Sequence, residues 1–136
     1  MNHSIVLRTS LANRLKSLID KPHQNPRIPA AQRQALEELL TSAHVVPDDE
    51  LSSDRVDLND EIRLLAPDDS NDSYSFSIVM PHNENIDDDL IAIGKPITLA
   101  VLGRSKGSLV SWETPVGHRE MTITSVGKPD LAVSAG

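Results

Sequence analysis

Apolar residues recur at two different spacings along this chain, and the change of spacing divides it. Leu11, Leu15, Leu18 and Ile19 fall at i, i+4, i+7 and i+8, which is one face of an α-helix. Thr9 or Ser10 can cap that helix. Pro22 stops it, because proline lacks an N–H and disfavours helical geometry at Lys21. His23 to Ile28 reads as a loop with Pro26 inside it. Pro29 suits the first turn of a second helix, whose apolar stripe is Leu36, Leu39, Leu40 and Ala43. Pro47 is read as its end. Two short helices joined by a tight loop, each with one apolar face, predict an antiparallel hairpin, coiled-coil-like in its pairing. Residues 4–8 read as a short extended segment.

Beyond a polar, turn-rich stretch at 47–54 the period falls to two. Ile62, Leu64 and Ala66 alternate with Arg63 and Leu65. Pro67 to Asp72 is a turn cluster. Tyr74, Phe76, Ile78 and Met80 alternate with Ser73, Ser75, Ser77 and Val79, the clearest strand signal in the chain. Pro81 ends that strand, 82–89 is a polar loop, and Leu90 to Ile93 is a short apolar strand. Pro96 can open a short helix over Ile97 to Leu102, and Gly103 can close it. Leu109 to Glu113 and Glu120 to Val126 read as a hairpin around Pro115-Val116-Gly117. The expected architecture is α+β: a short N-terminal helical hairpin over 1–46, a linker at 47–54, an antiparallel sheet domain with one short helix over 55–130, and a loose tail at 131–136.

Composition narrows the function. Of 136 residues, 38 % are apolar, enough for a modest core, but only Tyr74, Phe76 and Trp112 are aromatic. The core must rest on Leu, Ile, Val and Ala. Trp112, in a predicted strand, reads as core rather than as a partner-facing anchor. No apolar run approaches the roughly 20 residues of a membrane helix. The Ser4-Ile5-Val6-Leu7 run is too short for a signal peptide. A cytoplasmic location follows as the expectation. No cysteine is present, so disulfides, thiol chemistry and Cys-based zinc sites are excluded.

The net charge is −7, with acidic clusters at Asp48-Asp49-Glu50, Asp60-Glu61, Asp68-Asp69 and Asp87-Asp88-Asp89. Scattered cations do not suit a protein that neutralises phosphates, so no direct nucleic-acid binding is expected. The five histidines, His3, His23, His44, His82 and His118, show no i+2, i+3 or i+4 pairing, and no metal site is expected. Glu84 with Asp87 to Asp89 lacks the alternation and central glycine of a calcium loop. Arg104 to Gly107 lacks the spacer and second glycine of a phosphate loop. No Gly-x-Ser-x-Gly elbow occurs. The residues therefore point to no cofactor and no catalytic group.

The run Pro96-Ile97-Thr98-Leu99-Ala100-Val101-Leu102-Gly103, then Lys106-Gly107, Val110, Trp112 and Pro115-Val116-Gly117, resembles the C-terminal domain of the Gre transcript-cleavage factors (GreA/GreB). That family shows a Pro-Leu-Gly-type helix start, a glycine at the helix end, a Gly-Asp-like turn, a strand and a Pro-Gly-Gly-like hairpin tip. Here Thr98 replaces the usual glycine, Ser108 stands where an acid is usual, and His118 replaces the second tip glycine. Asn13 to Pro22, followed by Ala35-Leu36-Glu37-Glu38-Leu39, looks like the short Rnk branch, the regulators of nucleoside diphosphate kinase. The resemblance implies an FKBP-like C-terminal fold that binds RNA polymerase beside its secondary channel, touching it near Pro96, Ile97, Thr98 and Leu99.

Gre factors present carboxylates at the tip of a long hairpin to help hold a metal ion for RNA hydrolysis. The first helix here, from about residue 11 to 20, is on the order of 15 Å long. Its tip, Lys21-Pro22-His23-Gln24-Asn25-Pro26-Arg27-Ile28, holds no carboxylate. The expectation is a monomeric, non-catalytic regulator that binds RNA polymerase and competes with or modulates Gre-type factors without stimulating cleavage, with Lys21, Pro22, His23 and Arg27 at the hairpin tip. Two rivals stand beside it. One is an interaction module that regulates nucleoside diphosphate kinase or nucleotide pools. The other is a prolyl isomerase, which three aromatics can hardly furnish with a pocket.

Overall fold

A computed structural model describes residues 5–21 and 28–128. The elements are β1 (Val6–Arg8), α1 (Thr9–Asp20), α2 (Ala30–Ser42), β2 (His44–Val46), β3 (Glu61–Ala66), β4 (Asp69–Val79), β5 (Leu90–Ala92), α3 (Pro96–Val101), β6 (Leu109–Thr114) and β7 (Gly117–Gly127). The fold is α+β, as the two spacings predict. Five strands form a sheet in the order β5-β4-β3-β7-β6, antiparallel except for the edge pair β4–β5, which is parallel. The wholly antiparallel expectation therefore needs one amendment. The chain passes from β4 to β5 through single turns of 3-10 helix at Pro81–Asn83 and Ile86–Asp88, long enough to return it in the same direction.

Alternation along the strands decides what is buried. In β3, Ile62 and Leu64 are fully buried and Ala66 nearly so, while Glu61 and Arg63 face solvent. Across the ladder Ile62 meets Phe76 and Leu64 meets Tyr74. On the other side Leu64 lies opposite Ile123, next to a bulge in the pairing. Leu11, Leu15, Leu18, Leu36 and Leu39 close over that face, so helices and sheet share one continuous core. Full burial of such an aliphatic side chain contributes roughly 1.5–3 kcal/mol. Phe76 is the one aromatic among the fully buried side chains, and Trp112 is only partly buried against the core.

Several expected boundaries move. Residues Thr9 and Ser10 do not cap α1, because Arg8 takes that position and makes no side-chain cap. Instead the Ser10 N–H donates to Asp48 Oδ1 at 2.9 Å, and the Thr9 hydroxyl donates to the Val46 carbonyl at 3.0 Å. Pro47 does not end α2, which stops at Ser42. His44–Val46 then runs as β2, parallel to β1. The turn cluster at 67–72 shrinks, since β4 already begins at Asp69. The β6–β7 hairpin is longer than its apolar residues suggest, with Thr114 paired to Gly117 across Pro115 and Val116. By contrast α3 begins at Pro96 as expected, and Gly103 follows it at φ +79°. The tail at 131–136 lies outside the described residues.

Candidate docking surface

The corner at α3 is built from inside. Gly94 leads into it at φ +102°, and a Cβ there would come within 3.1 Å of Gln32 Oε1. Thr98 is fully buried, and its hydroxyl lies 2.8 Å from the Lys95 carbonyl and 3.0 Å from the Ala92 carbonyl. It ties the first turn of α3 to the end of β5. Thr98, expected near the polymerase contact, is therefore an internal tie of this corner with its side chain shielded from solvent. Pro96 is exposed, and Ile97 and Leu99 are half-buried against the core. The solvent-facing part of the corner is Pro96 with the uncovered parts of Ile97 and Leu99. Glu84 braces the approach: it accepts the Ala92 N–H at 3.0 Å and lies 3.8 Å from Lys95 Nζ.

At the other end of the expected site, Lys21 closes α1, its N–H donating to the Ser17 carbonyl at 3.1 Å. Pro22, His23 and Arg27 lie outside the described residues. Ile28, where the description resumes, is buried, and its carbonyl accepts Arg33 Nη1 at 2.9 Å.

Two features lack any local sequence signal. One is the seam that fastens the N-terminal segment to the sheet. Arg8 donates to Asp57 at 2.5 Å and lies 3.5 Å from Asp48. The Val6 N–H donates to the Gly103 carbonyl at 2.9 Å. Hydrogen bonds from the hydroxyl and amide of Ser10, with Arg8 nearby, hold the Asp48 carboxyl below its ordinary range. Asp60 behaves oppositely. It is buried beneath the seam, accepting Lys128 Nζ at 2.7 Å and the Asp57 N–H at 2.8 Å. Burial pushes its carboxyl up despite the lysine.

The other is a groove of about 530 Å³ between α1 and the turn after β4, lined by Arg14, Ser17, Leu18, Asn59, Met80, His82 and Asn83. Its residues come from three separate stretches of chain, so no spacing rule finds it. Met80 and His82 line this groove, and Pro81, between them in the chain, lines a smaller recess of about 120 Å³ that includes Ile28, Glu84 and Lys95. Among the described residues no three His, Asp or Glu side chains converge to hold a metal, and no helix is long and apolar enough to cross a membrane.

The fold is thus a curled, mostly antiparallel sheet with a proline-opened helix at its corner. The chain belongs to the family described as Transcription elongation factor, GreA/GreB, C-term, which matches residues 51–128. GreA of Helicobacter pylori strain Shi470 is 29 % identical over 91 residues, covering 67 % of this chain and 55 % of the relative. GreA of Rickettsia felis is 26 % identical over 96 residues, covering 71 % of this chain and 59 % of the relative. The chain therefore spans little more than half the length of these curated relatives. Among solved structures, the prokaryotic transcription elongation factor GreA/GreB from Nitrosomonas europaea shares the fold at a TM-score of 0.74 and 24 % identity, covering 93 % of this chain and 100 % of that one. Thermus aquaticus Gfh1 is a more distant fold relative, at a TM-score of 0.52 and 18 % identity over 93 % of this chain and 100 % of its own.

Proposed function

We propose that this chain docks on RNA polymerase beside its secondary channel through the Pro96 corner, and modulates or competes with Gre-type factors without stimulating transcript cleavage or catalysing a reaction itself. The Rnk-like branch is part of this reading, as is a cytoplasmic location. The observation that carries it is the geometry of α1. With 12 residues it is about 18 Å long at 1.5 Å per residue. Leu11, Leu15 and Leu18 are buried in the common core, so it lies along the head. The tip sequence from Lys21 to Ile28 has no carboxylate to offer a metal ion. A helix spent on packing supports occupation of a polymerase surface, not delivery of acidic groups to a distant centre.

The lining of the two grooves counts against the rival reading as a prolyl isomerase. Among the described residues neither is lined by Phe, Tyr or Trp. Tyr74 and Phe76 stack on each other at 5.4 Å, with Phe76 buried.

The test uses stalled elongation complexes. Purified chain is expected to bind core polymerase, leave the transcript uncut and slow cleavage driven by an added Gre factor. Accelerated cleavage by the chain alone overturns the reading, as does failure to bind. Pro96→Asp, at an exposed first-turn position that tolerates an acid, is expected to weaken binding at least tenfold with the fold intact.

A further inference from the structure

We propose that the groove between α1 and the turn after β4 receives a carboxylate-bearing segment of the polymerase, extending the docking surface from Pro96 to Arg14. This rests on the docking reading above. The chain carries 20 acidic residues against 13 Lys and Arg, yet among the described residues no acid lines this groove. Arg14 has no hydrogen-bond or ion-pair partner among the described residues. Its guanidinium stands ready to grip a carboxylate with two parallel hydrogen bonds, a geometry lysine cannot reproduce. Ser17 and Asn83 add uncharged hydrogen-bonding groups around it, and Leu18 and Met80 supply apolar surface for the stem of an acidic side chain.

The volume, about 530 Å³, suits a few side chains. Continuity favours the same partner at both ends. Met80 and His82 line the groove, while Pro81, between them in the chain, lines the recess that reaches Lys95, the residue before Pro96, and the docked surface runs across this turn. Nucleic acid fits less well. Among the described lining residues one guanidinium, in a protein of net charge −7, cannot offset a run of phosphates, and none is a Phe, Tyr or Trp on which bases could stack.

The test measures affinity for core polymerase at low and high salt, using the unaltered chain, Arg14→Glu and Lys16→Glu. Lys16 is exposed on the same helix but does not line the groove, so its reversal changes the net charge equally. Arg14→Glu is expected to lose at least tenfold at low salt and less at high salt, Lys16→Glu no more than twofold, with melting temperatures unchanged. A photocrosslinking residue in place of Asn83 is expected to capture a polymerase peptide containing Asp or Glu. Equal losses for the two reversals, or capture of RNA or of a peptide without acids, overturn this proposal alone. Failure of the unaltered chain to bind overturns the docking reading with it.

Discussion

Between β3 and β4, apolar partners such as Ile62 and Phe76 meet across a ladder closed by a short turn. Between the β1–α1 segment and the stretch that follows β2, partners meet through charge and polar hydrogen across far more chain: 38 residues from Ser10 to Asp48 and 49 from Arg8 to Asp57. The sheet is held by burial, which is nearly indifferent to salt and acid. The seam is held by groups whose strength depends on both. The magnitudes differ too. A buried leucine contributes roughly 1.5–3 kcal/mol, whereas a partly exposed ion pair contributes about 0–1. The head thus supplies most of the stability, and the seam decides how the N-terminal segment is held against it.

The largest expected effect tests whether the two regions fold together. Leu64→Ala removes a fully buried side chain beneath both sheet and helices and is expected to cost about 3 kcal/mol. In urea, helix content and Trp112 fluorescence should still change at one midpoint. Two midpoints would show that the hairpin and sheet are separately stable. Gly103→Ala strikes where the regions touch. Its φ of +79° disfavours alanine, and the new Cβ would come 2.6 Å from Ile5 Cγ2 and 3.1 Å from the Val6 carbonyl. A loss of about 2 kcal/mol is expected. Hydrogen exchange should speed up at Val6 and Leu7 before it does in β3, and equal acceleration would dissolve the distinction. Arg8→Ala should cost about 1 kcal/mol at low salt, because Asp57 is largely shielded from water and keeps only weaker partners. That cost should shrink in 1 M salt, while the cost of Leu64→Ala should not.

The same contrast explains what could be read from the chain. Strict alternation through Ile62, Leu64, Ala66, Phe76 and Ile78 is a local signal with one structural solution, and the buried face follows from it. The α3 corner was legible from Pro96 and Gly103 because both residues act on their own backbone. Thr98 was not, since a six-residue helix has too few turns to show which face is buried. β2 has no local signal, because three residues after a helix carry no period and its partner β1 precedes both helices in the chain. The seam was illegible for the same reason: Asp48 reads as one acid in a turn, and nothing nearby reveals that it serves the first turn of α1. The Arg14 groove needs the fold before its residues can be seen as neighbours.

The smallest expected effect separates two aspartates that sequence alone would treat alike. Asp48 sits in the seam with its pKa lowered by Ser10, and Asp60 sits beneath it with its pKa raised by burial. For Asp48 the unfolded chain takes up a proton first. Its contribution is present above the unfolded value near 3.8 and is lost as the pH falls through the lower folded value. For Asp60 the folded chain takes up the proton first. Its titration contribution is full below 3.8 and is lost as the pH rises through the raised folded value. Comparison of each residue with its asparagine variant cancels the background titration. On acidification from pH 7 to 3, the unaltered chain is expected to lose stability relative to Asp48→Asn and to gain it relative to Asp60→Asn. Urea midpoints at several pH values read both differences. Parallel trends would show that the buried carboxylate is governed by its lysine rather than by loss of water, and the seam and the layer beneath it would then be electrostatically one region.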